Sequence, residues 1–326
     1  MAYYTTLFIE NNILDASNIY KTPATLRQIQ QGELIMRDYS IYIPRFKAFL
    51  AGQSKSNFTV KQYSLDCAQF VKFMKEQKYE IISVEVIEAY RQWLQLHYTS
   101  IQSVNRKLAS LKSFIHFLQA REVIPLFADD LFSPLPFEKK ELQTLSARQI
   151  RQALHVWLTS YETAEQKDIS WMALRNYTIM RVIAEFGIKS SEIVRMKWSH
   201  VHNDFIRILT KRSYRDLPLQ PALLDVLQFY KEETLKQLPI GQEVDYIWLG
   251  LGNKLGEPIT VKTIERLFSY VSQQVGFSVT TTNVRYTAIK QDMDNTLQDI
   301  EDLYEKYGYA RKGVLQERAA RMEKPK

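Results

Sequence analysis

Two stretches in the first half of the chain repeat apolar residues at helical spacing. In "TVKQYSLDCAQFVKFMKEQ" the positions Val60, Tyr63, Cys67, Phe70, Val71 and Met74 fall on one stripe. In "SIQSVNRKLASLKSFIHFLQAREV" the stripe is Ile101, Val104, Leu108, Leu111, Ile115 and Leu118. One buried face per helix produces this period, so residues 39–124 read as helical throughout. Ahead of them, residues 1–38 are mixed; "TPATLRQIQQGELIMRDY" has helical character, with Pro23 suited to a first turn. Residues 125–141 hold Pro125, Pro134 and Pro136 and read as an interdomain linker.

A second domain is expected over 142–326. "SARQIRQALHVWLTSY" and "ISWMALRNYTIMRVIAEFG" predict helices, Gly187 a C-cap, and "SSEIVRMKW" a further short helix. "DFIRILTKRSYRDLPL" pairs apolar positions around a charged turn and predicts a small hairpin. Helices resume in "ALLDVLQFYKEETLKQ" and "TVKTIERLFSYVSQQVG". The class is mainly α with one small sheet. The last residues, "QERAARMEKPK", read as an exchanged terminal segment or a frayed basic tail.

Composition narrows the function. Of 326 residues 45% are hydrophobic, enough for two cores. The single cysteine, Cys67, forms no internal disulfide, and no Cys/His cluster has zinc spacing. No apolar run reaches the length of a membrane span, and the first residues lack the pattern of a signal peptide. The expectation is a cytoplasmic protein with no cofactor, no metal and no membrane partner.

Charge is unevenly spread. The formal net charge is +7, and residues 39–125 hold twelve Lys and Arg against six Asp and Glu. A concentrated basic excess points to nucleic acid. On the second helical stretch Arg106, Lys107 and Lys112 lie off the apolar stripe among Ser103, Asn105 and Ser110, and no acid occurs between Ile101 and Gln119. Cations mixed with small hydrogen-bonding residues suit phosphate and groove contact; a solvated face is the alternative. Near the C-terminus, "SVTTTNVRYTAIKQD" offers Thr281, Thr282 and Asn283 as helix N-caps, with Arg285 as a first-turn surface residue.

The order of parts resembles the tyrosine recombinase family, the phage integrases, over roughly residues 40–320. "SNFTVKQYSLDCAQFVKFM" with "VNRKLASLKSFIHFL" is similar to the core-binding domain, "RNYTIMRVIAEFGIKSSEIVRMKWSHV" to the box opening the catalytic domain, and "ILTKRSYRDLPL" to the hairpin after it. The resemblance implies a helical core-binding domain followed by an α+β catalytic-like domain. It also implies metal-free chemistry: a tyrosine attacks the scissile phosphate, arginines and histidines stabilise the transition state, and a hairpin lysine protonates the leaving oxygen.

Matched position by position, the family's first arginine is replaced by Lys189, with the acid kept as Glu192. The hairpin lysine is matched by Lys211. His-x-x-Arg becomes Thr282-Asn283-Val284-Arg285, and the later Gly-His step becomes Gly308-Tyr309. Where the nucleophile is expected stand Glu317 and Arg318, and no tyrosine follows Tyr309. Lysine lacks the planar two-point grip of arginine, and without a nucleophile no transesterification starts. No residue is therefore expected to be catalytic.

The resemblance implies a protein that holds double-stranded DNA without cutting it, a nucleoid-associated transcriptional repressor of a phage or prophage that maintains lysogeny. The expected DNA contacts are Lys61, Arg106, Lys107 and Lys112 in the first domain, and Lys189, Lys211, Arg212 and Arg285 in the second. Self-association and a protein anti-repressor are both compatible with the chain. Other readings are a divergent active recombinase using Tyr309, Tyr304 or Tyr307, a helix-turn-helix regulator, and an accessory protein that joins recombinase assemblies through protein contacts.

Overall fold

The computed structural model describes residues 38–53, 55–210, 213–295, 300–309 and 311–322. The candidate helix over 22–39 lies almost wholly outside them, as do Lys211 and Arg212. The chain divides into two units, Met1–Glu138 and Lys139–Lys326.

Among the described residues the first unit holds four α-helices, α1 (Tyr42–Gly52), α2 (Asn57–Glu76), α3 (Val84–His97) and α4 (Ile101–Gln119). Ser56, Ser83 and Ser100 cap the last three, each accepting a bond from an amide three residues on. The predicted stripes face inward: Cys67, Phe70, Leu108, Leu111, Ile115 and Leu118 are buried, whereas Ile101 stays exposed. Phe114 and Phe117 each meet Phe46 edge-on, with centroids 5.2 and 5.3 Å from it.

Half of the expected linker is folded into this unit. Phe132 is buried in its core, and Phe127, Leu131 and Leu135 pack against it. The Asn105 side chain brackets the Leu135 backbone, donating to its carbonyl at 2.8 Å and accepting from its amide at 2.7 Å.

The second unit contains α5 (Ala147–Thr163), α6 (Lys167–Phe186), α7 (Ser190–Ile193), the antiparallel strands β1 (Phe205–Leu209) and β2 (Tyr214–Pro218), α8 (Pro221–Leu235), α9 (Val261–Val275), α10 (Thr281–Asn295), α11 (Ile300–Lys306) and α12 (Lys312–Met322). The hairpin pairs Phe205 with Pro218 and Leu209 with Tyr214, and turns Ile206, Ile208 and Leu217 into the core. The short helix expected over 190–198 ends at Ile193. Beyond it the backbone pairs with another segment: Ile247 N–H donates to the Met196 carbonyl, and Trp198 N–H to that of Asp245. The tail is helical through Met322, which is buried.

The polar face of α4 departs most from expectation. Asp66, on α2, is buried with its side chain 2% exposed and gathers the α4 cations. It accepts from Arg106, from Lys107 Nζ at 3.1 Å and from Ser110 Oγ at 3.0 Å. Lys107 is itself buried, bonds Gln69 and lies over the Tyr98 ring at 4.7 Å. Lys112 pairs with Asp129 at 2.8 Å. What reads as an open basic face is largely a seam closed against α2 and the segment after α4.

Removing one partner of a buried ion network leaves an uncompensated charge and costs roughly 3–5 kcal/mol. Lys107→Glu sets a second carboxylate beside Asp66 and is expected to lose about that much in urea unfolding. Lys107→Met leaves Arg106 and Ser110 on Asp66 and is expected to lose less. A Lys107→Glu chain as stable as the parent would show that the seam is solvated.

Candidate functional site

The site begins where α6 ends. Gly187 closes that helix with φ +54°, the left-handed conformation glycine adopts freely. A Cβ there would stand 2.6 Å from Tyr307 Cε1, so the position admits no side chain. Two residues on, Lys189 N–H donates to Glu192 Oε2 at 2.9 Å. Glu192 is buried and takes both arms of the Arg215 guanidinium from β2, at 3.0 Å each. Burial alone would raise this carboxyl's pKa, but Arg215 outweighs burial and holds it below its ordinary 4.5. Arg215 Nε also donates to the Lys306 carbonyl at 2.7 Å, tying the hairpin to the end of α11.

Arg285 is neither a surface residue nor a free cation. The cap of α10 is Thr280, whose hydroxyl accepts from Asn283 N–H at 3.1 Å while its own amide donates to Asn283 Oδ1 at 2.7 Å. Thr281 and Thr282, expected as caps, sit inside the first turn. Arg285 is only 7% exposed. One arm of its guanidinium donates to the Gly187 carbonyl and the other to the Tyr307 carbonyl at 2.8 Å. Tyr307 is fully buried and donates its hydroxyl to Asp292 Oδ2 at 2.7 Å, which disqualifies it as an exposed nucleophile.

Beside Arg285 opens a cleft of about 250 Å³ lined by Ile188, Lys189, Ser190, Thr281, Thr282, Arg285, Tyr286, Tyr309 and Arg318. Lys189 Nζ donates to the Gly308 carbonyl at 2.9 Å. Burial lowers the Lys189 pKa; Glu192 opposes this, and Arg285, Arg215 and Arg318 add to it. Arg318 donates to the Tyr286 hydroxyl. The Tyr309 ring lies 5.2 Å from the Arg285 guanidinium carbon and 5.8 Å from Lys189 Nζ. The cleft thus joins three cations and several hydroxyls, and among the described residues no carboxylate lines it.

Of the eight expected contact residues, the structure brings Lys189 and Arg285 together. Lys61 is exposed and makes no ion pair among the described residues. Arg106, Lys107 and Lys112 are paired to acids, and Lys211 and Arg212 lie outside the described residues. Arg318, which with Glu317 was matched to the stretch expected to hold the nucleophile, was not anticipated as a lining residue. Among the described residues no group of three or more His, Cys, Asp or Glu is placed to hold a metal, and no helix is long and apolar enough to cross a membrane.

Comparison with known proteins agrees with this architecture. Residues 43–122 match the family described as phage integrase, N-terminal SAM-like domain. Tyrosine recombinase XerC of Rickettsia conorii is 28% identical over 60% of this chain and 67% of its own length. The putative tyrosine recombinase TTE1313 of Caldanaerobacter subterraneus subsp. tengcongensis is 24% identical over 82% of this chain and 89% of its own. Among solved structures, XerH site-specific recombinase bound to difH substrate superposes with a TM-score of 0.67 at 13% identity, covering 88% of this chain and 95% of that one. A lambda integrase dimer bound to a COC′ core site gives 0.65 at 14% identity, covering 94% and 83%. By its N-terminal match and its relatives the chain is similar to tyrosine recombinases, and it shares their fold.

Proposed function

We propose that this protein binds double-stranded DNA on a tyrosine recombinase fold and does not cut it. Residues 39–124 serve as the helical DNA-binding part and 142–326 as a degenerate catalytic-like part. It acts by occupancy, as a nucleoid-associated transcriptional repressor that keeps a phage or prophage lysogenic, with self-association or a protein anti-repressor as its protein contacts. The observation that carries this reading is the cleft beside Arg285: cations line it, and Glu317 and Arg318 stand where the family pattern expects a nucleophilic tyrosine. Thr282, in the position of the family's histidine, brings no titratable group for proton transfer. Lys61, Lys189 and Arg285 are the described residues assigned to the DNA side.

A divergent active recombinase is the second reading, and Tyr309 favours it by lining the cleft. Its neighbouring cations lie over the ring.

Binding to duplex DNA is expected to weaken with salt, each phosphate contact adding about one unit of negative slope to the log–log plot. A flat titration between low and moderate salt contradicts the electrostatic reading. Incubation with nicked suicide substrates is expected to leave no covalent protein–DNA band on a denaturing gel. A band that disappears in Tyr309→Phe would establish the recombinase reading instead.

A further inference from the structure

We propose that α12 latches the chain that connects the two units: while Arg321 is seated the stretch free to turn is 136–138, and release of α12 lengthens it to 136–144. The latch is built from contacts inside each unit and does not depend on the DNA-binding reading.

The first unit holds its side of the connection as far as Leu135. Gln119 Nε2 donates to the Pro125 carbonyl at 3.1 Å, and Arg91 Nη1 to that of Leu131 at 3.4 Å. Phe132 is buried, and the Asn105 side chain engages both the amide and the carbonyl of Leu135. Pro136, Phe137 and Glu138 are exposed, and among the described residues none of them makes a hydrogen bond. Nothing but the chain's own stiffness therefore restrains 136–138. Pro136 has its φ fixed by its ring, so rotation there falls on Phe137 and Glu138.

In the second unit the hold comes from one residue of α12. Arg321 donates to the Lys140 carbonyl through Nε at 2.9 Å and through Nη2 at 2.5 Å, and its own carbonyl accepts from Leu142 N–H at 3.1 Å. The last four carbonyls of a helix have no partner within it, and Arg321 stands one residue before the end of α12. Leu142 thus supplies a donor that the helix end lacks, and the guanidinium returns a charge-assisted bond to the connection. Capping the helix and seating the chain are one interaction, so each depends on the other. Lys139 Nζ adds an ion pair with Glu317 at 3.3 Å, but both side chains are exposed and such pairs contribute little.

The next hold on the chain does not involve α12. Leu145 is buried, and its N–H donates to Thr287 Oγ1 on α10 at 2.7 Å. Leu142 packs against the cluster that contains Leu315 and Met322 of α12, so its apolar contact is lost with the helix too. An extended residue spans at most about 3.3–3.6 Å, so the reach of the connection grows from roughly 10 Å over 136–138 to roughly 30 Å over 136–144. Terminal helices are among the parts of a domain that open most readily. The latch places control of the units' reach in the helix that is easiest to displace.

Hydrogen exchange on the full chain tests the latch. Arg321→Met keeps the apolar stem and removes the guanidinium. The Leu142 amide is expected to exchange roughly ten- to a hundredfold faster, the equivalent of one lost charge-assisted bond, while the Leu135 amide keeps its rate. Lys139→Ala is expected to change Leu142 by about fivefold at most. Leu142 as protected in Arg321→Met as in the parent overturns the latch. Leu315→Ala loosens α12 without touching Arg321 or the connection, and protection of Leu142 is expected to fall together with that of α12. A loosened α12 with Leu142 still protected overturns the proposal, whether or not Arg321→Met folds.

Spin labels on Lys72→Cys in α2 and Glu232→Cys in α8 read the reach directly. Both positions are exposed, and the native Cys67 is buried away from the label. The distribution of label-to-label distances is expected to be wider in Arg321→Met than in the parent. Equal widths with Leu142 released would overturn control of reach and leave Arg321 as a helix cap alone.

Discussion

The second unit depends on where the Arg285 guanidinium sends its hydrogen bonds. One arm closes on the carbonyl of Gly187, at the end of α6, and the other on the carbonyl of Tyr307, at the end of α11. These residues are far apart in sequence, and the charged donor holds them in contact where a side chain on Gly187 would collide with Tyr307. Arg215 makes a parallel tie, joining Glu192 to the Lys306 carbonyl. Between the two arginines, the hairpin, the turn after α6 and the end of α11 are brought to one place. Charge-assisted bonds of this kind contribute roughly 1.5–3 kcal/mol each. The cleft is therefore a product of structural ties, and its cations are partly spent in making it.

The local pattern was readable where one residue's environment depends on its near neighbours. The stripes of α2 and α4, the cap at Gly187 and the hairpin over 205–218 follow from period, propensity and turn chemistry. The order of these parts carried the family resemblance. Long-range pairing was not readable. The stretch from Ile101 to Gln119 contains no acid, so its cations look free. Asp66 reaches them from another helix and draws Lys107 out of solvent. Asn105, read as a groove-facing donor, instead holds the backbone of the segment after α4. The α10 cap was misplaced by one residue because Thr280, Thr281 and Thr282 are equivalent in sequence and only the chain path selects among them.

The same contrast governs function. Matching residues to the family pattern singled out Lys189 and Arg285. It gave no hint that Arg318 would turn its charge into the cleft. Arg318 does so because Leu315 and Met322 anchor the helix on either side of it. The cleft collects positive charge from three separate elements, which gives it electrostatic complementarity to an anion.

The claim that Arg285 is first a structural tie is tested most directly by hydrogen exchange on Arg285→Lys without DNA. Lysine keeps the charge but cannot span both carbonyls. Amides of α11, α12 and residues 187–192 are expected to exchange roughly ten- to a hundredfold faster, the equivalent of one or two lost charge-assisted bonds. Amides of α1 to α4 should keep their protection. Unchanged protection in α11 and α12 would contradict the account and return Arg285 to a role in ligand binding alone.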